Sequence, residues 1–330
     1  MIVSAYIGES NFDKLRLNDE KRLTHANFAF AVVKHGEASV EHWKNAENVR
    51  HFLKNKGDIK ALLSIGGWGA GGFSPACATK EGREKLSISL IDIMQDYGFD
   101  GIDLDWEYPA DDMAGIEAHS DDKKNYTAWV ALLREKIGNN KLLTMAAGAM
   151  QRCVDNLEIA KLVDLMDIFN IMTYDLCNWS KTSHHTSLYP SDICKTMYGQ
   201  KAIEMYHKAG IPKQKLTLGA AFYGRVYIDT DGMDKPTDGT PPNFTGGYAD
   251  TLRFIKEAGG YTYDKKAEAA YAYNANKRQL VTFDNPRSLV AKVNYIKKMG
   301  IAGIMFWEYN CDDLNSSLLA AISTEVNNEA

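Results

Sequence analysis

Four acidic residues crowd one short segment, Asp100-Gly-Ile-Asp103-Leu-Asp105-Trp-Glu107-Tyr-Pro109. The run Gly101–Asp105 is short, apolar and partly β-branched, which predicts a strand with the last acid just beyond its end. Side chains alternate faces along a strand, so Asp103, Asp105 and Glu107 project the same way, roughly 6.6 Å apart per two-residue step. Leu104 and Trp106 project the other way. At an effective dielectric near 20, two charges at that spacing repel by about 2.5 kcal/mol, close to two pKa units, before desolvation is added. At least one of the three acids is therefore expected to hold a proton near neutral pH. A protonated carboxylic acid beside an ionised one is the pair that general acid and base chemistry at an acetal, such as glycoside cleavage, requires. The spacing falls between those of the two carboxylate-pair geometries, so it does not choose a mechanism. Two other readings compete: a solvated acidic surface, which the flanking Gly101, Ile102, Leu104 and Trp106 oppose, and an oxygen-ligand metal site, for which no His or phosphate-cradling loop lies nearby. No metal and no cofactor are expected.

The elements that must carry this row recur along the chain. Short apolar runs precede stretches of helical periodicity eight times, with strands predicted at Ile2–Tyr6, His25–Val33, Ala61–Ile65, Gly101–Asp105, Leu142–Ala147, Ile168–Met172, Leu216–Ala220 and Gly303–Trp307. Helices are predicted at Glu81–Tyr97, Lys123–Ile137, Asn156–Leu165, Ser191–Lys208 and Arg287–Met299, several stopping at a glycine. Eight such units predict an α/β chain folded as a (β/α)8 barrel. An open doubly wound sheet is the alternative, but the GxGxxG fingerprint after the first strand is missing. Residues 228–282 break the pattern with Gly- and Pro-rich turns, a helix at Tyr248–Ala258 and a hairpin over Ala270–Phe283. The stretch is too long for a βα loop and reads as a small α+β insertion, leaving 1–227 and 283–330 as the two parts of the barrel. A barrel places such an insertion on the face where its strands end, beside any active site.

Bulk properties narrow the partners. The 330 residues carry a net charge of −5 with Lys and Arg scattered, which argues against a nucleic-acid or membrane surface and for a neutral partner. No apolar run approaches the roughly 20 residues of a membrane span. Met1–Tyr6 lacks the features of a signal peptide, so location is left open between secretion after removal of a leader and the cytoplasm. Five cysteines at irregular spacing predict free thiols rather than a disulfide framework.

The segment DGIDLDWEYP resembles the DxxDxDxE signature of family 18 glycoside hydrolases, matched at Asp100, Asp103, Asp105 and Glu107. Ser64-Ile-Gly66-Gly67-Trp68 resembles the SxGG motif of the third strand, Met172-Thr-Tyr174-Asp175 the MxYD motif of the sixth, with Trp179 following. Phe222-Tyr223-Gly224-Arg225 resembles the FYGR segment, Trp307 the eighth-strand tryptophan, and 228–282 is similar to a shorter form of the chitinase insertion domain. The resemblance implies a chitinase acting on chitin or chito-oligosaccharides, a monomer, by a retaining reaction in which the substrate acetamide is the nucleophile, as this family is an exception to the two-carboxylate scheme. It further implies Glu107 as acid and base, Asp105 as the group that holds the acetamide N–H, Asp103 as a residue sharing a proton with Asp105, and Tyr174 as a second acetamide partner. Trp307 would floor the site, with Tyr6, Phe30, Gly67, Trp68, Tyr108, Met172, Trp179 and Tyr223 lining it and Asp175 and Arg225 giving polar contacts. Tyr6, Phe30, Trp68 and Trp179 could each instead be core packing, and Ser64, Gly66 and Gly67 only a tight turn. The same implication admits two rivals: an endo-β-N-acetylglucosaminidase on N-glycans, and a non-catalytic chitin-binding lectin, which usually lacks the acid.

Overall fold

The computed structural model describes residues 1–14, 19 and 21–328. Its strands are β1 (Ile2–Gly8), β2 (His25–Lys34), β3 (Glu37–Ser39), β4 (Lys60–Gly66), β5 (Gly101–Asp105), β6 (Leu142–Gly148), β7 (Ile168–Met172), β8 (Leu216–Ala221), β9 (Tyr223–Tyr227), β10 (Asn243–Gly247), β11 (Thr262–Asp264), β12 (Ala269–Asn274), β13 (Gln279–Phe283) and β14 (Gly303–Trp307). The helices are α1 (Ala46–Asn55), α2 (Phe73–Cys77), α3 (Lys80–Tyr97), α4 (Asp122–Ile137), α5 (Gln151–Asp155), α6 (Ile159–Leu162), α7 (Gly199–Lys208), α8 (Tyr248–Glu257), α9 (Pro286–Met299) and α10 (Ser317–Asn327).

Eight parallel strands run β1-β2-β4-β5-β6-β7-β8-β14, and the pairing of β14 with β1 closes them into the (β/α)8 barrel expected from the eight repeated units. Local chemistry explains the best-read helices. The Thr79 side chain accepts from Gly82 N at the start of α3, which ends at Gly98 in the left-handed region (φ 82°). Asn285 and Ser288 cap each other at the start of α9, Pro286 opens it and Gly300 (φ 67°) closes it. Two helices are shorter than predicted. Of Asn156–Leu165 only α6 forms, and of Ser191–Lys208 only Gly199–Lys208, because residues 191–198 make local turns instead, with Ser191 N bonded to Cys194 O, Ile193 N to Ser191 Oγ and Cys194 Sγ donating to Met197 O.

The outer faces of the barrel strands meet the helices through an apolar shell that includes Phe28, Phe99, Trp129 and Phe169. The lumen is different in kind. Ser4, Asn27, Ser64, Asp103, Thr144, Asn170 and Thr217 are all buried there and bonded to one another in part, where aliphatic layers usually fill such a barrel. The inserted unit is a five-stranded antiparallel sheet, β10-β9-β13-β12-β11, carrying α8. It starts ahead of residue 228, because β9 pairs in register with β13 from Gly224↔Phe283 to Tyr227↔Leu280. All five cysteines are free thiols, and no helix among the described residues is long and apolar enough to cross a membrane.

Candidate active site

The acid row climbs β5 from one mouth of the barrel to the other. At the entering end, Asp100 accepts from Ala61 N at 2.8 Å and pairs with Lys56 at 2.7 Å. Burial works against its charge, but these bonds outweigh it and hold the carboxyl below its usual pKa. Asp100 thus fastens β5 to its neighbour and stands apart from the other three acids.

Asp103 lies inside the lumen with four donors around it. Its Oδ2 accepts from Tyr6 Oη (2.9 Å) and Ser64 Oγ (2.7 Å), and its Oδ1 from Thr144 Oγ1 (2.5 Å) and Asn170 Nδ2 (3.4 Å). Burial raises its pKa while all four donors oppose the rise, so of the three inner acids it is the one whose charge the protein does most to meet. Ser64 therefore serves Asp103 rather than forming only a turn. Asp105 is the opposite case: its Oδ1 is buried with no hydrogen-bond partner among the described residues. Burial, then Glu107, then Asp103 push its pKa well above the carboxylate range. Glu107, beyond the strand end, is pushed up to about 7 by burial, with a hydrogen bond from Tyr108 opposing and the Asp175 charge adding. Trp106 faces away, stacked on Phe73 at 5.3 Å, as the alternation requires.

The turn after β4 shapes the approach to this row. A Cβ on Gly66 (φ 125°) would sit 2.0 Å from the carbonyl oxygen of Asp105, and one on Gly67 (φ 94°) would strike the Phe30 ring at 2.6 Å. Gly67 N also donates to Asp105 O at 2.9 Å. Both glycines are required for close packing behind the site, and Gly67, expected to line it, instead makes room for Phe30.

Above the row opens a cavity of about 610 Å³. Tyr6, Phe30, Trp68, Asp105, Glu107, Tyr108, Met172, Tyr174, Asp175, Trp179, Tyr223, Arg225 and Trp307 all line it. Trp307 is stacked on Phe30 at 5.5 Å and tilted against Tyr6 at 5.9 Å. Among the described residues the Tyr174 hydroxyl finds only the weak acceptor Met305 Sδ at 3.9 Å. Arg225 grips Asp175 with two bonds of 2.6 Å, and the buried His185 Nδ1 lies 3.6 Å behind it. Burial would raise the Asp175 pKa, but His185 and Arg225 reverse that and hold it well below its usual value. A fixed anion therefore faces Glu107 across the cavity.

Sequence reasoning missed part of the wall: Met113, Met150 and Arg152 on one side, and Pro241, Pro242 and Phe244 from the inserted unit. It also missed Thr144 and Asn170, whose only sequence signal is a polar residue at an inward position of an apolar strand. Among the described residues no group of three or more His, Cys, Asp or Glu is placed to hold a metal ion.

The family model for glycosyl hydrolases family 18 matches residues 2–312. The chain belongs to that family. This family 18 chain is 33% identical over 304 residues to Chitinase A1 of Niallia circulans, covering 81% of this chain and 43% of the relative. It is 32% identical to Chitinase 1 of Aphanocladium album, covering 82% and 66%. The chain thus spans about half to two thirds of the length of these relatives. A solved family 18 N-acetylglucosaminidase from Paenibacillus barengoltzii superposes with a TM-score of 0.91 at 32% identity, over 98% of this chain and 99% of that one. The Group IV chitinase of Ostrinia furnacalis in complex with allosamidin gives 0.86 at 25% identity, over 98% of each chain.

Proposed function

We propose that the protein is a chitinase that hydrolyses β-1,4 bonds between N-acetylglucosamine units with retention of configuration, the substrate acetamide acting as nucleophile. One observation carries the reading: Asp105 Oδ1 is buried and unpartnered, between a saturated Asp103 and a Glu107 poised near neutrality. An unmet buried acceptor is costly unless a ligand donor meets it, and an acetamide N–H is such a donor. The named chitinase relatives and the allosamidin-bound neighbour support the same substrate class.

In the proposed reaction Glu107 gives its proton to the glycosidic oxygen as the C1–O bond breaks. The acetamide oxygen of the same sugar attacks C1 and forms a cyclic oxazolinium, whose N–H is held by Asp105 and whose positive charge Asp105 and Asp103 stabilise. Tyr174 donates to the acetamide from the other side. Glu107, now ionised, takes a proton from water, which opens the ring and releases the β-anomer. Trp307, held by Phe30 and Tyr6, offers an apolar face to the sugar ring undergoing reaction.

The test is hydrolysis of N-acetylglucosamine oligomers of increasing length, with products resolved by size and anomer. Release of β-anomeric dimers or longer products is expected. Release of single sugars alone would assign the chain the activity in the name of its Paenibacillus neighbour, and α-anomers would overturn the mechanism.

A further inference from the structure

Trp179 reaches the cavity from the loop after β7 with its side chain exposed (54%), yet its backbone is not free. Thr182 N donates to Lys235 O at 2.8 Å, and the buried Thr182 hydroxyl donates to Gly232 O at 2.7 Å and accepts from Lys235 N at 3.0 Å. Thr237 N donates to Ser180 O at 3.0 Å, and its hydroxyl donates to the carbonyl of Trp179 itself. Lys181 forms a salt bridge with Asp234, an antiparallel bridge joins Lys181 to Pro236, and Tyr227 Oη donates to Asn178 O at 3.0 Å. Every one of these partners belongs to the inserted stretch that runs from β9 on to Pro241, Pro242 and Phe244 in the cavity wall.

We propose that the inserted unit splints the Trp179 loop, and that Thr182 and Thr237 are positioning residues that set how well the cleft holds oligomers long enough to reach that tryptophan. The proposal rests on the chitinase reading above. A loop of this length bearing a large exposed ring otherwise loses conformational freedom whenever a sugar stacks on it, and the splint removes most of that loss before the sugar arrives. Bracing a platform is a task the inserted unit can perform through its edge, beside the wall it forms with Pro241, Pro242 and Phe244.

The test uses Thr182→Val and Thr237→Val, with Thr182→Ser as the conservative control. Thr237 is partly exposed, so its replacement leaves the core intact even if the buried Thr182→Val folds poorly. On an N-acetylglucosamine hexamer the valine variants are expected to lose about 5- to 20-fold in kcat/KM, mostly through KM. On a nitrophenyl glycoside of the dimer, which offers no sugar beyond the scissile bond to stack on Trp179, they should stay within about twofold of the parent, and Thr182→Ser should restore the hexamer rate. Acrylamide quenching assigned to Trp179, by difference from Trp179→Phe, should rise in both valine variants. Equal losses on both substrates, or unchanged quenching, would overturn the splint. If the parent cleaves no such oligomer, the proposed activity falls and quenching alone judges the splint.

Discussion

Asp100 and Asp105 stand on one strand at opposite mouths of the barrel, and their carboxylates meet opposite surroundings. Asp100 has Lys56 and Ala61 N within 2.8 Å and is held ionised. Asp105 has two acids for neighbours, a buried oxygen without a partner and a pKa driven upward. The same residue type is therefore a fastening at one end and a strained acceptor at the other. What separates them is the supply of donors, which the lower mouth has and which, among the described residues, Asp105 Oδ1 at the upper mouth lacks.

Substitutions along the row should expose that gradient. Glu107→Gln is expected to lose about 10³- to 10⁴-fold in kcat while oligomer affinity by calorimetry stays near the parent's. Retention of turnover within about tenfold would remove Glu107 as the acid. The same variant sharpens the comparison through pH. Glu107 is raised from 4.5 to about 7 in the folded chain, so its contribution to stability is full below about pH 4.5 and is lost as pH rises through 7. At pH 8 the parent therefore carries a penalty on the order of 3 kcal/mol that Gln lacks, and the variant should melt higher there and equally at pH 4. For activity the acid must keep its proton, so parent kcat/KM should fall on the alkaline side of about pH 7.

Asp105→Asn comes next, with an expected loss of about 10²- to 10³-fold in kcat. Its melting temperature should not fall, because no protein hydrogen bond to Oδ1 is lost. Thr144→Val removes the shortest of the four bonds to Asp103. It should cost about 1–3 kcal/mol in chemical denaturation and about tenfold in kcat, with the pH profile displaced. Smallest in activity is Asp100→Asn, expected to lose roughly 1 kcal/mol of stability, discounted for partial exposure, while kcat stays within about twofold. A large kcat loss there would erase the distinction between the two mouths.

The parts of this gradient differ in how far sequence could reveal them. Alternation along Gly101–Asp105 placed Asp103 and Asp105 on one face, and repeated strand and helix periods gave the barrel, because both are set by neighbours within a few residues. The donors to Asp103 lie beyond that range. Thr144 and Asn170 are 41 and 67 residues away and meet it only because β6 pairs with β5 and β7 with β6, so that all three strands face one closed lumen. Phe244 and Pro241 reach the cavity through the pairing of β10 with β9, which no local pattern specifies. The helix predicted over Ser191–Lys208 was too long for a related reason. Its first residues, Ser191–Tyr198, are mostly weak helix formers, and bonds from beyond that stretch, such as Gly199 N to Ser187 O, define where α7 begins.

Trp307 has a further consequence, for the thermodynamics of recognition. Packed flat on Phe30 and braced by Tyr6, the indole is immobilised when the chain folds, so under the proposed function a sugar would meet a surface with no rotamers left to freeze. Side chains that must be ordered on binding each cost roughly 0.5–1.5 kcal/mol. That cost is absent here, and loosening the stack with Phe30→Ala should appear in calorimetry as a more unfavourable binding entropy with the enthalpy of stacking largely kept.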